Sequence, residues 1–210
     1  WRIVRVNEDG TVRIIMQDGI NDNTIYAFNS NYNNYTYMYY SNSDAKTTLE
    51  SWYQTNIGNK ADLAKNVASG AYYCEQAKVK YDSSWASGNA TMTYYKNYIP
   101  NFKCETDGNG KSIVNASVGL LTYDEVVYAG GYAAQNNNNY YLYNPAIRWW
   151  MMSPAGFEYG YSLEWNVDTS GGIYASNVST FYHLRPVIIL TADTKTSGGN
   201  GTKDNPFVIE

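Results

Sequence analysis

The chain has 210 residues, a length that fits one domain with a sizeable hydrophobic core. Its net charge is −4, and charged residues make up only 16% against about 25% in typical soluble domains, so with no basic run a nucleic-acid-binding role is disfavoured. No apolar segment is long enough to cross a bilayer, and the 23 tyrosines and 6 tryptophans are typical either of an aromatic core or of a binding surface.

The first predicted element is a β-hairpin. Residues 1–6 (WRIVRV) alternate apolar and polar side chains, residues 7–10 (NEDG) form the turn, and residues 11–16 (TVRIIM) form the return strand. Residues 21–43 are rich in Asn, Tyr and Ser and lack helical periodicity. We interpret them as an irregular surface segment that is ordered mainly by its tyrosines.

Capping signals predict the helices. Thr47 with Glu50 three residues later is a capping-box pattern, and Gly58 marks the end of this helix. A second short helix is predicted around residues 61–68. The predicted apolar face of the first helix comprises Leu49, Trp52, Tyr53 and Ile57.

The same capping pattern recurs at Thr122 and Glu125, and it predicts a short helix that stops at Gly130. Asp124 and Glu125 then lie in the first helical turn, where carboxylates interact favourably with the helix dipole. We therefore interpret this acidic pair as structural rather than catalytic.

The two cysteines, Cys74 and Cys104, are too far apart for a CxxC motif and too few for a zinc site. A disulfide in an extracellular protein is the favoured interpretation, and it would stabilise the fold by about 3–4 kcal/mol. The alternative is two buried thiols in a reducing compartment.

Residues 147–190 alternate apolar, β-prone segments with short polar or aromatic loops. This pattern indicates a rigid sheet that carries exposed binding loops. The predicted scaffold positions include Trp149, Trp150, Trp165, Val167 and the run 184–190.

Arg185 precedes Pro186, so its backbone is predicted to be extended. It leads into residues 187–190, which we predict to be a central strand. An arginine at this point is expected to be partly buried and paired, with Asp124 or Glu125 as the candidate partners.

The order of hairpin, helices, loops and several short strands, with a last strand at residues 206–209, predicts one α+β domain spanning residues 1–210. Its expected architecture is one antiparallel sheet with a few short helices packed on its face and long loops.

Five segments carry a family resemblance, and they are WRIVRVNEDGTVRII, SVGLLTYDEVVYAGG, RWWMMSP, LRPVIIL and GTKDNPFVI. In order and spacing they resemble bacterial surface domains with a C-type-lectin-like fold that are common in gut bacteria of the low-GC Gram-positive kind. Such domains often follow an N-terminal pilin-like membrane helix. Because this chain begins at Trp1, we expect it to be a fragment whose only link to a membrane is a preceding segment.

Residues 147–190 also resemble the variable region of proteins diversified by diversity-generating retroelements. In that system adenines are mutated, so AAC codons for Asn become codons for Tyr, Ser, Asp, Phe, His or Gly, which are the residue types in these loops. Glu158 requires an AAA or AAG codon instead.

The resemblance implies a binding face built from residues 157–162, 166–170, 174–177 and 179–183, with Arg148 at its rim. We expect its exposed aromatic and polar members to cluster on one surface. The candidate ligand-binding residues are Arg148, Phe157, Glu158, Tyr159, Tyr161, Asn166, Asp168, Ser170, Tyr174, Ser176, Asn177, Ser179, Phe181, Tyr182 and His183.

Catalytic and metal-binding roles are disfavoured. His183 is the one histidine, and the chain has neither a nucleophile elbow nor a Gly-rich phosphate loop. Asn166 and Asp168 resemble the Trp-Asn-Asp ligand motif of calcium-dependent lectins, but the spacing differs by one residue and no Glu-Pro-Asn partner exists. We expect no enzymatic activity, no cofactor and no metal.

The predicted function is therefore that of an extracellular or cell-surface domain, of the adhesin or receptor type. Its ligand would be a protein or glycan on another cell, a phage or a host surface. The alternatives are a structural pilin-type or surface module without a diversified binding role, and a cell-wall-acting enzyme.

Overall fold

The computed structural model describes residues 1–75, 102, 113–202 and 204–210, which form a mixed α+β fold with more sheet than helix. The helices are α1 (Ile20–Asn23), α2 (Asp44–Tyr53), α3 (Ala61–Ala64) and α4 (Tyr123–Tyr128), with 3-10 helices at Tyr35–Met38 and Tyr40–Asn42 and a π-helix at Gln54–Gly58. The strands are β1 (Arg2–Val6), β2 (Val12–Ile15), β3 (Ile25–Ala27), β4 (Ala71–Cys74), β5 (Ile113–Ala116), β6 (Tyr132–Ala133), β7 (Trp149–Glu158), β8 (Tyr161–Val167), β9 (Gly172–Asn177), β10 (Phe181–His183), β11 (Val187–Leu190), β12 (Thr196–Gly198) and β13 (Val208–Ile209). The predicted α+β class is confirmed.

The largest sheet, called the main sheet below, has the strand order β3-β10-β7-β8-β9-β6. Its central pairs β7–β8 and β8–β9 are antiparallel, as predicted. The prediction of a wholly antiparallel sheet is wrong, because β10 runs parallel to β7 and β6 runs parallel to β9. After β9 the chain crosses the sheet, where the Val178 amide donates to the Ser162 carbonyl, and enters β10 beyond β7.

A second sheet has the order β1-β2-β11 and contains the predicted N-terminal hairpin, with Val6 opposite Val12. β11 pairs antiparallel with β2 and is fully buried, but it lies at the edge of this sheet, so the prediction of a central strand is wrong in position. Its other side is covered by bridges from Gly119 to Val187 and from Val67 to Leu190.

Residues 118–123 join the two larger sheets. Gly119 exchanges backbone hydrogen bonds of 2.9 and 2.8 Å with Val187 of β11, and the Met152 amide of β7 donates to the Leu121 carbonyl at 2.9 Å. The hydrophobic core forms around this segment. Its largest fully buried side chains include Trp149, Trp150, Tyr40, Tyr73, Phe28 and Ile15.

Helix α2 begins four residues earlier than the capping pattern at Thr47 predicted. Ser43 is the N-cap, and its hydroxyl accepts from the Lys46 amide at 3.0 Å. Glu50 is instead paired with Lys46 along the helix at 2.6 Å. The predicted apolar face is confirmed in its buried members Leu49, Tyr53 and Ile57, and the π-helix ends at Gly58 as predicted.

The other two helix predictions have different outcomes. α3 spans only residues 61–64, so the predicted helix at 61–68 is too long. The capping box of α4 is confirmed, since the Thr122 hydroxyl accepts from the Glu125 amide at 3.2 Å and the Glu125 carboxylate accepts from the Thr122 amide at 2.9 Å.

Residues 21–43 are more than the predicted irregular surface segment. They provide β3, an edge strand of the main sheet, and they place Phe28, Met38 and Tyr40 in the core. The Tyr40 hydroxyl donates to the Val118 carbonyl at 3.0 Å. Asn side chains satisfy the turns between these anchors, so the apolar residues follow neither a helical nor a strand period.

The predicted pairing of Arg185 with Asp124 or Glu125 is wrong. Arg185 is fully buried, but its Nε donates to the Met16 carbonyl and its Nη1 to the Leu142 carbonyl, both at 3.0 Å. Glu125 pairs with Arg13 of β2 at 2.7 Å and with Arg5 of β1 at 3.1 Å. The neighbouring strands of the second sheet supply these arginines, whereas Arg185 lies before β11, beside the chain end of β2.

Cys74 ends β4, and Cys104 lies outside the described residues, so the Cys74–Cys104 disulfide stays a prediction. Among the described residues, every helix is too short or too polar to cross a membrane.

Candidate binding site

The main sheet presents two different faces, because side chains alternate along each strand. Trp149, Trp165 and Val167 point into the core from one face, called the inner face, and Trp165 packs on Tyr123 of α4 at 4.9 Å between ring centres. On the other, outer face, Asn166 lies opposite Trp150 on β7 and opposite Tyr174 on β9. Trp150 and Asn166 are buried there, and the part of the outer face that reaches solvent is formed by Arg148, Tyr174, Ser176 and Tyr182.

The guanidinium of Arg148 lies at the centre of a group of side chains on the outer face. Its Nε donates to Asn166 Oδ1 at 2.7 Å and its Nη2 to Ser176 Oγ at 3.3 Å. Its Cζ lies 4.4 Å from the ring centre of Tyr182 and 5.9 Å from that of Tyr174. The Arg148 cluster, as we call it, comprises Arg148, Asn166, Tyr174, Ser176, Tyr182 and His183.

Asn166 orients the side chains of the Arg148 cluster through its hydrogen bonds. It is fully buried, and its Nδ2 donates to the Tyr174 carbonyl at 2.8 Å and to Ser176 Oγ at 3.0 Å. The prediction that Asn166 itself belongs to the exposed binding face is therefore wrong. Because its oxygen already binds a guanidinium, the resemblance to a calcium ligand has no counterpart in these contacts.

His183 joins the cluster through the backbone of Arg148. Its amide donates to the Arg148 carbonyl at 2.9 Å, and its Nδ1 lies 2.7 Å from the same oxygen. A carbonyl only accepts, so Nδ1 carries the proton and Nε2 faces away from this contact. The Tyr182 hydroxyl lies 3.1 Å from Ser176 Oγ, which ties β10 to β9 across the sheet.

A second group of predicted residues lies at the tip of the β7–β8 hairpin. Glu158 pairs with Tyr161, which leaves Tyr159 and Gly160 as a two-residue turn with φ of 49° and 81°. Tyr159 is 90% exposed. Phe157 is buried, so its predicted place on the binding face is wrong.

Tyr161 at this tip stacks on Tyr32, with ring centres 5.3 Å apart, and both rings are exposed. Tyr32 was missed by the sequence reasoning. Its only signal is the tyrosine-rich composition of residues 21–43, which does not show which tyrosine meets the hairpin.

Four of the predicted binding residues hold turns. Asp168 Oδ1 accepts from the amides of Ser170 and Gly172 at 2.9 and 3.0 Å, and Asn177 Oδ1 accepts from the Ser179 amide at 3.0 Å. The Ser170 and Ser179 hydroxyls donate to the same two oxygens, at 2.6 and 3.0 Å. These side chains therefore shape the loops that flank β9.

The predicted single cluster is divided in two. Tyr161 and Asn166 are five residues apart on β8, which places the tip roughly 16 Å from the Arg148 cluster at the strand rise of about 3.3 Å per residue. Phe181, which is 59% exposed, pairs with Ala27 on the edge strand β3. The predicted residues thus form two exposed areas rather than one, the Arg148 cluster on the outer face and the hairpin tip, whose Tyr161 points to the other side of β8.

Glu164 lies on the same side of β8 as Asn166 and, like it, is fully buried. Among the described residues, neither carboxyl oxygen has a hydrogen-bond partner. Burial, and to a lesser degree the neighbouring Glu75 charge, raises the pKa of Glu164 well above its ordinary value. Strand alternation predicts the side of β8 on which Glu164 lies. The sequence contains no signal that its carboxyl group lacks hydrogen-bond partners.

Within the described residues, no group of three or more His, Cys, Asp or Glu side chains could hold a metal ion. Comparison of the chain with protein-family models, with curated proteins and with solved structures finds no significant match.

Proposed function

We propose that this chain is a ligand-binding domain of a cell surface, of the adhesin or receptor type, with a C-type-lectin-like fold and a diversified binding face within residues 147–190. Its ligand is a macromolecule that contacts the exposed side chains of the Arg148 cluster and of the β7–β8 hairpin tip. Binding uses arginine and aromatic side chains on a rigid scaffold and involves no chemistry.

The observation that carries this proposal is the difference between the two faces of the main sheet. Trp149, Trp165 and Val167 are buried on the inner face, whereas Arg148 and Tyr174 on the outer face are ordered by hydrogen bonds or stacking and yet reach solvent. A preorganised surface of this kind loses little conformational entropy when it binds a ligand.

The backbone at Tyr159 supports both binding and diversification. A φ of 49° in a two-residue hairpin turn favours Asn, Asp or Gly, and a tyrosine there is strained. Its ring is 90% exposed, so little packing offsets the strain. Asn is the residue encoded by AAC, and one adenine change converts that codon to one for Tyr. Strain retained at an exposed aromatic residue is typical of a functional position.

The direct test is binding of the labelled protein to intact bacterial cells and to cultured epithelial cells. The loop variant replaces Tyr159, Tyr161 and Phe181 with Ser. The matched control replaces Tyr72, Tyr128 and Tyr132 with Ser, which are equally exposed but lie outside residues 147–190.

The loop variant should lose roughly tenfold or more in affinity, because exposed aromatic residues dominate such interfaces. The control should bind like the parent, and both variants should unfold within a few degrees of it, as surface changes usually do. A parent that binds neither cell type, or a loop variant that binds as well as the control, contradicts the proposal.

Diversification has its own test in the genome around the coding sequence. We expect a nearby reverse transcriptase gene and a near-repeat of the segment encoding residues 147–190, differing from it at adenines. A structural surface module would have neither feature.

A further inference from the structure

We propose that the Arg148 cluster binds a carboxylate, supplied by an Asp or Glu side chain of a protein partner. This inference rests on the proposed binding function and names the chemistry of the ligand at one part of that site. Four features of the cluster carry it: an unpaired charge, open donors, a fixed guanidinium plane and the distance to the hairpin tip.

The positive charge of Arg148 has no acidic partner among the described residues. The ion pairs found there join Arg5 and Arg13 to Glu125 and Lys46 to Glu50. Arg148 instead contacts an amide, a hydroxyl and two aromatic rings, all of which are neutral. The outer face therefore holds a cation that lacks a counter-charge.

The guanidinium also has open donors on one edge. Of its five N–H groups, one on Nε is used by Asn166 and one on Nη2 by Ser176, which leaves three. These three lie on Nη1 and Nη2, the edge that forms two parallel hydrogen bonds to a carboxylate. The residue as a whole is partly exposed.

The plane of the guanidinium is held before any ligand arrives. Asn166 is buried and fixed by its own bonds to Tyr174 and Ser176, and the Tyr182 ring supports the group from one side at 4.4 Å. Tyr182 in turn packs on Trp150 at 4.6 Å between ring centres. Preorganisation on apolar rings strengthens the attraction for an anion and gives it direction.

These features favour a carboxylate over other ligand groups. A metal cation is repelled by the guanidinium, and a neutral sugar leaves the charge unpaired. One guanidinium matches a carboxylate in charge and in geometry. Tyr161 at the exposed hairpin tip lies roughly 16 Å from Asn166 along β8, a span that one partner protein covers but a single acidic sugar does not.

The test is a titration followed by NMR of the backbone amides, with acetyl-Tyr-Glu-Tyr-amide as the probe. It should shift the resonances of residues 148, 166, 176 and 182. The matching peptide with Gln should bind roughly tenfold more weakly, because it lacks the charge-assisted pair. Affinity for the Glu peptide should fall as NaCl is raised.

Two variants report on Arg148 itself. Arg148→Met should reduce affinity for the Glu peptide roughly tenfold or more. Arg148→Lys should restore only part of that affinity, because an ammonium group keeps the charge but lacks the two parallel donors of a guanidinium. Lys60→Met, which removes one exposed charge elsewhere, should bind like the parent. Melting temperatures establish that all variants are folded.

Equal affinity for the Glu and Gln peptides overturns the inference, as does unchanged binding by folded Arg148→Met. Tighter binding of glucuronate or inorganic phosphate than of the Glu peptide overturns the assignment to a protein carboxylate. If the parent binds cells and Arg148→Met binds them equally well, the inference fails while the proposed function stands. Failure of the proposed function is instead the absence of cell binding by the parent.

Discussion

Arg185 and Arg148 place the same side chain in two different surroundings. Both stack on an aromatic ring, Arg185 at 4.7 Å from Trp149 and Arg148 at 4.4 Å from Tyr182. Arg185 is fully buried and donates to two backbone carbonyls, from Met16 and Leu142. Arg148 is partly exposed and is held by side chains of the main sheet.

The comparison shows that aromatic stacking does not separate a structural arginine from a binding one. Burial lowers the pKa of Arg185 to about 10, so its charge persists at neutral pH and must be satisfied inside the protein. Two backbone carbonyls accept from its Nε and Nη1 and cannot be exchanged for a ligand, while its buried Nη2 has no hydrogen-bond partner among the described residues. Arg148 is only partly buried and keeps donors that no described residue uses, and that difference makes it available for binding.

Arg185→Ala should give the largest effect, a loss of about 3–5 kcal/mol in the free energy of unfolding. The change opens a cavity beside Trp149 and removes the donors to the buried Leu142 carbonyl and the partly buried Met16 carbonyl. Urea unfolding at neutral pH measures it. The matched control, Arg148→Ala, should lose only about 1 kcal/mol, since solvent replaces its contacts. Equal losses in the two variants would break the comparison.

Glu164→Gln extends the comparison to a second buried ionisable group. Unlike the Arg185 guanidinium, the Glu164 carboxyl group has no hydrogen-bond partner among the described residues. The folded-state pKa of Glu164 is raised, so protonation stabilises the fold. This stabilisation is fully present below the unfolded pKa of about 4.3 and is lost as pH rises from there through the folded-state pKa.

The parent should therefore become less stable as pH rises above about 4.3, and the neutral amide should remove that part of the decline. At pH 8 the Gln variant should be more stable by about 1–3 kcal/mol. Urea unfolding from pH 4 to pH 9 measures both proteins. Parallel stability curves would show that Glu164 is satisfied in the folded protein.

Tyr159→Asn should give the smallest effect, a gain of about 0.5–1 kcal/mol, because Asn adopts φ near 50° with less strain. Thermal melting detects it. The control is Tyr161→Asn, at a neighbouring strand position where the ring stacks on Tyr32 and no such gain is expected. A loss of stability in Tyr159→Asn would mean that this ring belongs to the packed scaffold, contrary to the comparison.

Several elements were predictable because their signals are local. The NEDG turn between two alternating strands, and Thr122 with Glu125 at the start of α4, carry their hydrogen-bonding partners within a few residues. The burial of Trp149 and Trp165 was also predicted correctly, since large aromatic residues in β-prone runs favour a core.

Other features depend on partners far along the chain. Trp150 donates its indole N–H to the carbonyl of Tyr26, and Tyr161 stacks on Tyr32, although more than 120 residues separate each pair. Neither contact has a periodic signal in residues 21–43. The cap of α2 was missed although its signal is local, since Thr47 was predicted and Ser43 occupies that position.

By itself the sequence determined the α+β class, the N-terminal hairpin, the α4 cap and the aromatic character of residues 147–190. Only the tertiary structure decided that Asn166 and Phe157 are buried, that Arg185 binds carbonyls and that the exposed residues form two areas. The reason is that strand register and the crossing after β9 set which side chains meet. Both depend on packing between distant segments, and a local pattern does not encode them.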